Sequence, residues 1–107
     1  MKIDYKKLTD DLRRAKEAGE IAAYGEDGGT ANLDRVTIKL PGAIEKKVID
    51  AVKAAGLYTR GRREWIGTRY FISGPGGQGN SRVRVNEAMR KVLEEAGYDV
   101  LIYQQMD

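Results

Sequence analysis

The sequence contains no cysteine and no histidine. These two absences exclude disulfide staples, thiolate nucleophiles, zinc fingers, Ser-His-Asp triads and histidine acid–base chemistry. Carboxylates, lysines, tyrosines, hydroxyls and backbone groups remain as catalysts. That shifts the expectation from an enzyme to a binding protein with no catalytic residue, cofactor or metal. Proline occurs twice, and tryptophan and phenylalanine once each. No apolar run approaches the roughly 18–20 residues of a membrane helix. Met1-Lys2-Ile3-Asp4 lacks the apolar centre of a signal peptide, so the expected setting is a host cytoplasm without a membrane partner. The 107 residues are 41% hydrophobic and 33% charged, the balance of one globular domain over residues 1–107.

The net charge is +3, but its distribution says more. Between Tyr58 and Asn86 stand six arginines (Arg60, Arg62, Arg63, Arg69, Arg82 and Arg84) and one acid, Glu64, a local excess of +5. The rest of the chain, with 13 basic and 15 acidic residues, is at −2. Arginine presents a planar fork of donors that suits phosphate and carboxylate.

Tyr5, Leu8, Leu12 and Ala15 recur at helical spacing and predict a helix from Asp4 to Ala18, capped by Asp4 and ended by Gly19. Ile21–Tyr24 reads as a short extra strand, and the glycine-rich segment to Leu33 as a loop. From Arg35 a pattern repeats. Arg35–Leu40 alternates as a strand, Pro41-Gly42 turns, and Ala43–Ala55 is a helix with Ile44, Val48, Ile49 and Val52 inward. Gly56 stops it and Leu57–Arg60 restarts an extended run. The second copy is the strand Thr68–Ser73, the pair Pro75-Gly76, the helix Ser81–Ala96, the stop Gly97 and a last strand from Tyr98 to Met106. The Pro-Gly pairs are 34 residues apart and the helix stops 41, so the second copy carries seven extra residues around Gly77-Gln78-Gly79-Asn80. The expected fold class is α+β: a ferredoxin-like βαββαβ core over 34–107, preceded by the helix and loop of 1–33. The central strands form a hairpin turning near Arg62–Gly67. Both repeat helices cover one sheet face, and the N-terminal helix and extra strand are placed to cover the other.

Three segments are candidate sites. Gly74–Arg82 contains G-x-G-x-x-G between a strand and a helix, where successive N–H groups can hold an anion. Gly76, Gly77, Gln78, Gly79, Asn80, Arg82 and Arg84 are its phosphate-binding candidates. No further strand carries the acid that a dinucleotide fold requires, and the same residues also read as a plain turn. In Gly28–Asp34 the alternation places Thr30 and Asn32 on one face as further ligand contacts, or as caps of the loop's own backbone. The acids there are too few for a calcium loop. In Arg60–Phe71 basic and aromatic residues interleave, as in surfaces for single-stranded nucleic acid. Arg60, Arg62, Arg63 and Arg69 would hold phosphates and Trp65 or Tyr70 would stack on a base. The other reading is a solvated hairpin with its aromatics packed inward.

The combination of Gly29-Thr30-Ala31-Asn32-Leu33-Asp34, Gly77-Gln78-Gly79-Asn80, Ala96-Gly97-Tyr98-Asp99 and Gln105-Met106-Asp107 resembles small accessory proteins of bacteriophages and mobile elements. The resemblance runs from about Tyr24 to the end, and each motif in it is short. It implies a counter-defence protein. The leading expectation is an anti-CRISPR-like inhibitor of a host nucleic-acid-targeting system, acting on nucleic acid or a nucleoprotein effector through the arginine surface. The alternatives are a sponge for a phosphorylated nucleotide signal, its pocket formed across a homo-oligomer interface, and a small nucleic-acid-binding accessory protein.

Overall fold

The structure, a computed structural model, describes residues 3–22, 35–73 and 80–103. The elements are α1 (Tyr5–Ala22), β1 (Arg35–Lys39), α2 (Glu45–Ala54), β2 (Arg62–Trp65), β3 (Gly67–Ile72), α3 (Asn80–Glu95) and β4 (Asp99–Tyr103). They form a mixed α+β fold with a four-stranded antiparallel sheet in the order β2-β3-β1-β4.

The Asp4 carboxylate accepts the Lys7 N–H at 3.0 Å, the capping bond expected of it. Gly19, however, does not end α1. It is buried within the helix, and a Cβ there would stand 3.1 Å from Val85 Cγ1 and 3.2 Å from Met89 Cγ. The glycine serves the close approach of α1 to α3. Ile21 and Ala22 are accordingly helical, not extended, while Ala23 and Tyr24 lie outside the described residues.

A second correction concerns where α1 sits. Leu8, Leu12 and Ala15 share one core cluster with Val48 and Val52 of α2, Val85, Met89 and Leu93 of α3, and Val36, Ile38 and Ile72 of the sheet. The first helix therefore packs on the other helices instead of covering the free sheet face. Polar bonds hold it there. Ile44 N–H donates to Tyr5 Oη at 2.9 Å, Arg13 reaches the Ala54 carbonyl at 3.2 Å, and Tyr98 Oη donates to Asp11 at 2.7 Å. Asp11 also accepts from Lys7 at 2.7 Å and from Arg14. Ile44, expected inward, is exposed at the N-cap of α2.

The strands sort their side chains by parity. Val36 pairs with Ile72 and Ile102, and Ile38 with Tyr70 and Val100, which places these residues towards the helices. Arg35, Thr37, Lys39, Arg69, Phe71, Leu101 and Tyr103 take the opposite face. No helix among the described residues lies on that face.

The run Leu57–Arg60 is not the second strand. Only Tyr58 bridges, to Ser73, through bonds of 3.3 and 2.8 Å. Strand β2 begins at Arg62, which pairs with Tyr70. Three residues, Thr59–Gly61, thus oppose two, Phe71 and Ile72, which is a β-bulge. Gly61 has φ +120°, and Glu45 Oε2 accepts the Arg62 N–H at 2.8 Å just beyond it. The expected hairpin is present. Trp65 pairs with Gly67 and leaves Ile66 at the tip, with Gly67 at φ +77°.

Candidate functional site

The arginine-rich run is divided by strand parity into three environments. Arg62 lies on the helix side of β2, its Nε 4.0 Å from Glu45 Oε2. Arg69 is on the open face yet only 2% exposed. Its Nε donates to Thr37 Oγ1 at 2.8 Å, and its Nη2 to Asp99 O at 2.9 Å and Asp99 Oδ1 at 3.0 Å. Thr37 Oγ1 in turn donates to the Leu101 carbonyl at 2.8 Å. A buried guanidinium needs such compensation, and this one ties β3 to β1 and β4. Arg69 is a cross-sheet link, not a displayed phosphate ligand.

Arg63 faces outward on the open side, its guanidinium 5.0 Å from the Phe71 ring. It joins Arg35 and Arg60 around a cavity of about 70 Å³, also lined, among the described residues, by Tyr58, Phe71 and Ser73. Arg13, Arg14, Arg62, Arg69 and Arg90 each have a carboxylate within 4.0 Å. Arg35, Arg60 and Arg63 have none among the described residues.

The aromatic residues are redistributed as well. Trp65 is outward and partly exposed, and packs edge-on against Phe71 and Tyr103 at centroid distances of 5.9 and 5.0 Å. Phe71 and Tyr103 are 5.2 Å apart. Tyr70, paired with Ile38, points into the helix side and is 1% exposed. It cannot stack on a base, which corrects the expectation for it. Its hydroxyl is buried without a hydrogen-bond partner, and burial pushes its ionisation upward.

Arg84 Nε donates to the Ala22 carbonyl at 3.1 Å and so serves the C-terminal end of α1. Asn80 opens α3 and Arg82 lies in its first turn, their side chains outside the described part. Thr30, Asn32, Gly76, Gly77, Gln78 and Gly79 lie outside the described residues.

Sequence reasoning missed Arg35, Tyr58, Ser73 and the aromatic group around Phe71. Arg35 stood alone at a strand start, away from the arginine run. Its usable signal was its parity with Thr37, which assigns it to the side opposite Val36 and Ile38. Among the described residues no three His, Cys, Asp or Glu side chains are grouped to hold a metal ion, and no helix is long and apolar enough to cross a membrane. Compared with protein-family models, curated proteins and solved structures, the chain matches none of them.

Proposed function

We propose that the chain is a non-catalytic binding protein whose arginine-lined cavity, on the sheet face opposite the helices, takes the phosphate backbone of single-stranded nucleic acid. The observation that carries this is the convergence of Arg35, Arg60 and Arg63 on one cavity without a neutralising carboxylate among the described residues. Unpaired guanidinium groups gain most from an incoming anion, because no internal salt bridge has to break first. Tyr58, 59% exposed, and Trp65, 37% exposed, offer ring faces next to that charge. In the counter-defence role that the resemblance implies, the strand is the guide or target of a nucleic-acid-targeting effector, and occupying it inhibits the effector.

The strand order β2-β3-β1-β4 with antiparallel neighbours, and helices following β1 and β3, support reading the core as the split βαβ, ferredoxin-like arrangement. In that arrangement one sheet face is free for a ligand.

The test is fluorescence anisotropy with labelled single-stranded DNA and RNA over a salt series. Three phosphate contacts predict that log K falls against log salt with a slope of about −2. Replacing Arg35, Arg60 and Arg63 together by alanine should abolish most of the binding while circular dichroism stays unchanged. A salt-independent affinity, or binding untouched by the triple replacement, overturns the reading.

A further inference from the structure

The arginine cavity is smaller and more specific than a backbone-tracking groove requires. We infer that it is a pocket for a terminal phosphomonoester, the phosphate at the end of a strand or on a free nucleotide. The inference rests on the anion reading above but not on the ligand being a long strand.

Size is the first argument. About 70 Å³ is room for a few waters, each of which needs roughly 10–15 Å³ of such space. It is far below the roughly 300 Å³ at which pockets for drug-sized ligands begin. A phosphoryl group is on this scale and a nucleobase is not. A ligand seated in it by a terminal phosphate keeps its nucleoside outside.

Charge is the second argument. An internal phosphodiester carries one negative charge, whereas a phosphomonoester carries about −1.5 to −2 at neutral pH. Three arginines lining one cavity, with no carboxylate partner among the described residues, match the doubly charged group better. The Ser73 hydroxyl adds a donor on the same wall. Its backbone is held in place by the paired bonds to Tyr58.

The third argument is what stands at the rim. Tyr58 lines the cavity and is 59% exposed, so an aromatic side chain open to solvent stands beside the phosphate site. A nucleoside attached to a phosphate in the cavity meets this ring, which suits any base. The neighbouring Arg63 is held over Phe71 at 5.0 Å, which fixes its guanidinium before a ligand arrives. Preorganisation of this kind reduces the ordering cost of binding.

The experiment uses the full chain and four decathymidylate probes, each labelled at the end opposite the one varied: 5′-phosphate against 5′-hydroxyl, and 3′-phosphate against 3′-hydroxyl. Adenosine monophosphate, adenosine and inorganic phosphate serve as competitors. The expected result is about a tenfold gain in affinity from a phosphate at one of the two ends, lost in Arg35→Ala and in Arg60→Ala. Arg60→Lys, which keeps the charge but not the fork, should retain only part of the gain. Melting temperatures show whether each variant is folded, and Arg60, being exposed, is the variant least exposed to that objection. Equal affinity for phosphorylated and hydroxyl ends overturns the pocket and leaves strand binding standing. A rise in melting temperature with adenosine monophosphate but not with adenosine, with no oligonucleotide bound, overturns strand binding and supports the pocket for a free nucleotide. Absence of binding by every phosphorylated probe overturns both.

Discussion

Arg69 and Tyr70 are neighbours in sequence and both are buried, yet only one of them is satisfied. The Arg69 guanidinium has three partners on two strands, whereas the Tyr70 hydroxyl has none. A buried hydroxyl without a partner costs free energy that a phenylalanine in the same place avoids. Tyr70→Phe should therefore leave the fold intact and raise stability by up to about 1 kcal/mol, readable as a higher midpoint in urea unfolding. Binding of nucleic acid should be unchanged, because Tyr70 faces the helices. A loss of binding in this variant would return Tyr70 to the ligand surface. The hydroxyl's solitude was not legible in the sequence, where Arg69-Tyr70-Phe71 reads as an interleaved basic and aromatic surface. Alternation along a strand shows that Tyr70 opposes Arg69 and Phe71, but not which of the two sides meets the helices.

At the scale of elements, the bulge between Tyr58 and Arg62 is the decisive local feature. It offsets the pairing with β3 by one residue and so decides which of Arg62 and Arg63, on opposite faces by alternation, lies away from the helices: Arg63 does. Gly61 is central to it, with φ +120° and with Glu45 Oε2 only 2.5 Å from where a Cβ would stand. Gly61→Ala forces a left-handed backbone on an ordinary residue and displaces the carboxylate that accepts the Arg62 N–H. A cost of about 1–3 kcal/mol is expected, together with weakened ligand binding as Arg60 and Arg63 lose their relative placement. Chemical denaturation and anisotropy measured on the same preparation check both halves. The helices were legible because Leu8, Leu12, Val48, Val52, Val85, Met89 and Leu93 repeat at the helical period. Gly19 was misleading as a stop, because a glycine that ends a helix and one that admits a neighbouring helix look alike in one sequence.

For the whole molecule, both faces of the sheet carry contacts that stabilise the fold. On the helix side, Asp11 is buried where α1 meets Tyr98. Burial alone would raise its pKa, but hydrogen bonds from Lys7, Tyr98 and Arg14 outweigh it and hold the carboxyl below its ordinary 3.8. A group whose folded pKa is depressed contributes stability that is present above the unfolded value and lost as pH falls through the folded one. Acid unfolding should therefore steepen below pH 3.8. Asp11→Asn should lower stability at neutral pH by about 1–3 kcal/mol and flatten that acid dependence, as urea titrations at a series of pH values would show. On the other side, the buried Arg69–Asp99 link and the Trp65–Phe71–Tyr103 group hold the sheet without a covering helix among the described residues.

The sequence by itself determined the element types, the single repeated strand–helix unit, the absence of cysteine and histidine chemistry, and the excess of arginine. Each follows from composition or from local periodicity, which need no knowledge of distant contacts. Only the tertiary structure decided which arginines are spent on the fold and which remain open to a ligand. That choice depends on a one-residue bulge, on strand parity and on which carboxylates approach from elsewhere in the chain. Asp99 reaches Arg69 and Glu45 reaches Arg62, while Arg35 is brought to Arg60 and Arg63 with no acid among the described residues to meet them.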